Sequence, residues 1–286
     1  MMITLAWWTG SVWSLVAGQL LGAGLRLYLM SRHLPGPANR FRIEGRAARE
    51  LLHFGKWIFL STVAGFLVAQ GDKLILSTFL SLEMLGIYNI GYTLASVPLM
   101  LGGALVGRMM IPLYRAHLPE DGSAPTPADF AALRRFRFVL TGALMVLAMT
   151  LALGGYALVD LLYDPRYQTA GTIVMLLSLA FMPQLIVMSY DQIALTMGDS
   201  RQFFWLTAAR GGLFVLCTAG MAALFGLKGA IFGQGLSFVL AYPLIAAFAR
   251  RYHVWDPRHD LAMSLITAAT ALLMAGLHSS SILAPI

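Results

Sequence analysis

Asp72 and Lys73 stand side by side in an otherwise apolar run, Arg210 interrupts a second run, and Asp191 lies near the end of a third. Charged groups in surroundings that cannot solvate them pair with one another, line a wet path for an ion or an anion, or titrate. Near a bilayer centre an ionised group costs on the order of 2.5–3.5 kcal/mol even on the lenient insertion scale, so it faces a bundle interior or a water-filled cavity. On a helix, Asp72 and Lys73 point about 100° apart and cannot simply neutralise each other, so each needs another partner. At helical spacing, Thr62, Gly65, Ala69, Gln70, Asp72, Lys73 and Ser77 form a small or polar stripe opposite Ile58, Leu67, Leu74 and Ile75. That stripe suits either an aqueous cavity or a helix–helix seam in which Asp72 pairs with a basic residue of another segment.

Two further stripes are weaker. Tyr88, Tyr92 and Ser96 share a face ending near Pro98, and Gln184, Met188, Asp191 or Gln192, and Thr196 share one beginning near Pro183. Prolines in such runs bend helices and free backbone carbonyls, which transporters use at cavities but which also occur in spans with no such role. Gly18-xxx-Gly22, Gly103-xxx-Gly107 and Gly229-xxx-Gly233 permit close helix approach. Motifs of catalysis are absent: no GxxxxGKS or GxxxxGKT, no HExxH, no GxSxG and no paired carboxylates on one helical face. His259 and Asp260 are adjacent, but in a short basic connection they read as interfacial residues rather than an acid–base pair. The single Cys217, with no Cys/His ligand spacing, implies no metal, no cofactor and no internal disulfide.

The elements that position these residues follow from composition. Of 286 residues, 58% are hydrophobic and 12% charged, with mean hydropathy +0.73, whereas soluble domains carry about 25% charged residues. The chain reads as an all-α integral membrane protein, a single membrane domain over 1–286. Apolar stretches long enough to span fall at 6–30, 57–80, 84–107, 138–159, 169–197, 203–225, 229–249 and 261–283. Alternate connections hold fifteen of the twenty Lys and Arg residues, at 31–56, 108–137, 198–202 and 250–260. The opposite connections hold only Arg166 and Lys228, and Arg26, Lys73 and Arg210 lie within spans. By the positive-inside rule the basic connections are cytoplasmic. The net charge of +7 is therefore topology rather than a nucleic-acid surface.

Segment 44–54 has Ala48, Leu51 and Leu52 on one helical face and Arg46, Arg49 and Glu50 on the other, the pattern of an interfacial helix leading into the next span. Residues 119–127 read as a hinge-like linker, after which Thr126 can cap a helix that starts at Pro127. Eight crossings with a cytoplasmic 31–56 put both chain ends outside, as expected for part of a longer protein.

The order of several blocks carries a resemblance. The FGKW block at 54–57, Asp72-Lys73 within GDKLIL, Leu-Gly-Ile-Tyr at 85–88, and Pro112 with Arg115 come first; LLYDPRYQTAG at 161–171 and ALTMGDSR at 194–201 follow. Together they resemble the polysaccharide-transporter, or lipid-linked oligosaccharide flippase, branch of the multidrug/oligosaccharidyl-lipid/polysaccharide exporter superfamily, over most of residues 11–250. The resemblance implies a bundle of about eight transmembrane helices like the C-terminal lobe of a two-lobe exporter, lacking most of the N-terminal lobe. It implies alternating-access flipping of undecaprenyl-pyrophosphate-linked oligosaccharide for polysaccharide or O-antigen export, in a bacterial inner membrane, with no enzymatic activity. Lys73 and Arg210, then Arg26, would receive the anionic pyrophosphate or an acidic sugar, and Asp72 would serve as ion-pair partner or coupling-ion ligand. Arg26, near a cytoplasmic helix end, can equally snorkel. Implied partners are the lipid-linked glycan, membrane lipid, a missing N-terminal lobe, a second copy of the chain or polysaccharide-assembly proteins. A cation-coupled multidrug exporter of the same superfamily, or a membrane protein of envelope-glycan assembly, are the alternative readings.

Overall fold

The computed structural model of the protein describes residues 13–33, 44–119 and 123–283, all helix and connecting turns, with no strand among them. The chain divides into two units after Leu51. In the first lie α1 (Trp13–His33) and the opening turns of α2 (Gly45–Leu76). The part of the first expected span before Trp13, and part of the 119–127 linker, lie outside the described residues. Arg46 and Glu50 form an exposed pair at 3.3 Å one turn apart, and no break separates 44–54 from the rest of α2. The amphipathic segment is thus the start of the long helix and not a separate one.

The second unit holds the rest of α2, then α3 (Leu82–Ala95), α4 (Val97–His117), α5 (Pro127–Leu162), α6 (Gln168–Val187), the single turn α7 (Ile193–Thr196), α8 (Ser200–Arg251) and α9 (Pro257–Leu283). Among the described residues, six helices are long and apolar enough to cross a membrane, and the architecture is an all-α membrane bundle. Local chemistry explains the boundaries. Ser81 caps α3 by accepting the Met84 N–H, and Thr126 caps α5 by accepting the Asp129 N–H with Pro127 following. Pro98, without an N–H to continue the ladder, stands in the first turn of α4, so the 84–107 run is divided at Ser96 into two helices. The 169–197 run is regular only to Val187. Beyond it, Met188–Tyr190 tighten into a 3-10 turn.

α8 is a hairpin of two arms, 200–224 and 227–251. The chain reverses at Phe225 and at Gly226, whose φ of +61° and ψ of −141° suit glycine. A Cβ on Gly229 would strike the Met221 carbonyl oxygen, and one on Gly233 the Cys217 carbonyl oxygen, so this glycine pair sets the close approach of the two arms. Gly103 and Gly107 have nothing within 4 Å of a built Cβ and make no such approach. α6 is the central helix, packed by α3, α4, α5, α8 and α9, and its buried side chains include Ile173, Leu177, Phe181, Met182 and Leu185.

Candidate functional site

The inward face of α2 carries Ser61, Ala64, Gly71, Asp72 and Leu76, all buried, while Phe59, Val63, Phe66 and Leu74 are exposed. This face is rotated from the expected stripe: Thr62 is exposed and bonded to its own Ile58 carbonyl, and Ile75 packs against the core. Gly65, Val68 and Ala69 nevertheless line a half-open cleft of about 230 Å³, with Tyr92, Phe181, Gln184, Phe214 and Gln234 among the other walls.

Two polar groups flank the cleft. In the first, Asp72 is fully buried and accepts a 2.5 Å hydrogen bond from the Tyr88 hydroxyl, which in turn accepts from Gln234 Nε2 at 3.1 Å. Asp72 Oδ1 and Gln234 Oε1 have no donor among the described residues, so the pair presents acceptors in excess of donors. The Lys73 ammonium lies 4.8 Å from the centre of the Tyr92 ring, an attraction that strengthens away from water. Asp72 and Lys73 thus each find a tyrosine partner, and the Lys73 charge also acts on Asp72. In the second group, Arg210 donates to Asp191 Oδ1 at 2.6 Å and to Gln184 Oε1 at 2.8 Å. The Arg210 and Asp191 side chains are 13% and 22% exposed. Gln184 and Asp191, seven residues apart, both meet Arg210 on the first arm of α8. Arg26 is exposed on α1 in the first unit, and the site is built from second-unit residues.

A larger buried network closes the end of the unit where α4 ends and α5 begins. Arg137 is fully buried; it donates to the Val254 carbonyl at 2.5 Å and the Tyr114 hydroxyl at 2.8 Å, and stacks 4.4 Å over the Tyr190 ring. Tyr114 donates its own O–H to the Ser189 carbonyl at 2.8 Å. Arg134 forms a two-pronged pair with Asp256 at 2.5 and 3.1 Å. Asp260 accepts from Tyr190 and Tyr242 at 3.0 Å each, and His259 Nδ1 lies 2.9 Å from it. His259 and Asp260 are therefore buried network members and not surface residues. Burial pushes the Asp256 carboxyl up, but hydrogen bonds from Arg134 and the His259 N–H, with the two guanidinium charges, outweigh it and hold the group below its ordinary range. Nearby, burial first and then the Asp199 carboxylate push the Tyr252 phenol up to about 12. Sequence reasoning counted Arg134 and Arg137 only as basic-loop charges. Their signal, two arginines three residues apart at a helix start, does not say which one turns inward.

No cluster of metal-ligating side chains occurs among the described residues. Residues 1–170 match the family model described as polysaccharide biosynthesis protein. The match takes in Asp72, Lys73, Tyr88 and Tyr92 and stops before Gln184, Asp191 and Arg210. No curated protein and no solved structure matches significantly. With more than half of its length covered by that match, the chain, an all-helical membrane bundle, belongs to the polysaccharide biosynthesis protein family, a family of export type.

Proposed function

We propose that the chain takes part in moving an undecaprenyl-pyrophosphate-linked oligosaccharide across a bacterial inner membrane by alternating access, with the cleft between α2, α3, α6 and α8 as part of the path and the basic connections on the cytoplasmic side. The observation that carries this reading is the Arg210–Gln184–Asp191 group at the cleft edge, where Gln184 is both a wall of the cleft and a partner of the guanidinium. A guanidinium presents a fork of donors that matches phosphate oxygens. A diphosphate entering the cleft can take over from Gln184 without stripping Arg210 of its Asp191 partner. Lys73, over the face of Tyr92, is the second cation within reach of an anionic ligand. Asp72, with an oxygen left over after Tyr88, is the group to receive a coupling ion. The test replaces the chromosomal gene with variants: Lys73→Ala and Arg210→Ala are expected to lower surface polysaccharide at least tenfold while the protein remains at normal level in the membrane. Normal export from both variants overturns the assignment. Restored drug efflux in place of glycan export turns it toward the multidrug reading.

A further inference from the structure

The two arms of α8 leave an apolar groove of about 300 Å³ between them at the open end of the hairpin. Gln202, Trp205 and Leu206 line it from the first arm, and Leu244, Ala247 and Arg251 from the second, in each case at helical spacing. The hairpin register brings the polar members together: Gln202 near the start of one arm and Arg251 at the end of the other, with the apolar members farther in. Arg251 is exposed and makes no hydrogen bond or ion pair with any described residue, although its charge is felt by the Tyr252 phenol. No carboxylate lines the groove. Asp199, the acidic residue beside it, is engaged by the Gln202 N–H at 3.0 Å and the Tyr252 hydroxyl at 3.4 Å. Trp57, Phe204 and Trp205 form a run of touching rings, centres 5.5 and 5.2 Å apart, that leads from the groove wall to two more cations. Lys56 and Arg201 lie 5.5 and 5.7 Å from the centre of the Trp57 ring, a contact that leaves both charges uncompensated.

We infer that this groove seats an anionic phospholipid of the cytoplasmic leaflet, its phosphate at Arg251 and Gln202 and the upper part of one acyl chain against Trp205, Leu206, Leu244 and Ala247. Charge complementarity selects the headgroup: the polar end offers a guanidinium without an anion and a side-chain amide, both donors to phosphate oxygens, with two further uncompensated cations next to the aromatic run. The apolar walls select the rest of the molecule, because α8 is long and apolar enough to cross a membrane and its outer face meets lipid. Trp205, 59% exposed, stands where indoles concentrate, at the boundary between headgroups and chains. From Leu244 to Arg251 is seven residues, about 10 Å of helix, against about 15 Å for half the hydrocarbon core, so the groove grips the head and upper chain and leaves the chain end in the bilayer. Basic pockets between helices on the cytoplasmic side are where anionic headgroups bind. The assignment shares with the proposed function only its orientation, which puts the connections 198–202 and 250–260 in the cytoplasm; it involves neither the cleft nor Arg210.

The test offers the purified full chain in detergent phosphatidylglycerol or phosphatidylcholine with identical acyl chains, and counts by native mass spectrometry the lipid that survives collisional stripping of the detergent. Phosphatidylglycerol should be retained about fivefold over phosphatidylcholine, the effect of one basic residue at the membrane surface. Arg251→Gln should erase that preference, whereas Arg115→Gln, which removes an exposed arginine of α4 outside the groove, should keep it. Ala247→Trp, which fills the groove, and Trp205→Ser, which removes a wall, should each reduce retention of both lipids with the melting temperature of the protein unchanged. Equal retention of the two lipids by the parent, or a preference that survives Arg251→Gln, overturns the proposal. So does an equal loss of preference in Arg115→Gln, which would make the effect one of net charge, or undiminished retention in both groove variants. One-for-one displacement of phosphatidylglycerol by a polyprenyl diphosphate also overturns it and gives the groove to the cargo lipid.

Discussion

Tyr88 is what allows Asp72 to be fully buried, because its hydroxyl is, among the described residues, the one donor side chain bonded to the carboxylate and also the acceptor for Gln234. Tyr88→Phe removes both bonds at constant shape and leaves a buried carboxylate oxygen and a buried amide N–H without partners. A buried polar group so orphaned costs roughly 1–3 kcal/mol, so the variant should unfold at a lower temperature than the parent in the same detergent. Unchanged stability would show that Asp72 takes its hydrogen bond elsewhere. That Asp72 and Lys73 each need a partner was legible from residue type alone, since charge in an apolar run demands an account. That Lys73 would rest on Tyr92, and Arg210 on Asp191 and Gln184, was not legible, because partners on other helices leave no trace in local spacing.

Among the elements, the α8 hairpin shows why a motif is informative only in context. Gly103-xxx-Gly107 and Gly229-xxx-Gly233 have identical spacing, yet only the second pair meets the backbone of a neighbouring helix. Gly233→Leu must push the two arms of α8 apart, and Gly226→Val places a branched side chain at φ +61°, a strain of order 1–3 kcal/mol. Both should lower the unfolding temperature, while Gly103→Ala, facing open space, should remain within about 0.5 kcal/mol of the parent. Equal effects at Gly103 and Gly233 would remove the basis for the distinction. Spans with strong hydropathy were readable along most of the chain. The division of 84–107 into two helices and the tightening after Val187 were less so, because proline marks where a helix can bend without specifying how the freed groups are satisfied.

At the scale of the whole second unit, the Arg137 network ties α4, α5, the 3-10 turn, the connection to α9 and α9 itself at one end. Arg137→Leu leaves the Val254 carbonyl and the Tyr114 hydroxyl without their donor and should destabilise the protein by about 3 kcal/mol. Asp256 is held below its ordinary range in the fold, so its pair with Arg134 contributes fully above about pH 4, the unfolded value. That contribution is lost as the pH falls through the folded value. Unfolding temperature should therefore be insensitive to Asp256 from pH 5 to 8 and fall in acid, and Asp256→Asn should flatten that acid limb; an acid limb unchanged in Asp256→Asn would count against the pair. The amino-acid sequence by itself determined that this is a helical membrane protein, where most of its apolar runs lie, and which charges need explaining, because hydrophobicity and charge are properties of residues taken one at a time. Only the tertiary structure decided which charges meet, that His259 and Asp260 are buried, and where the cleft and the apolar groove lie. Those are consequences of side chains from distant segments competing for the same interior space.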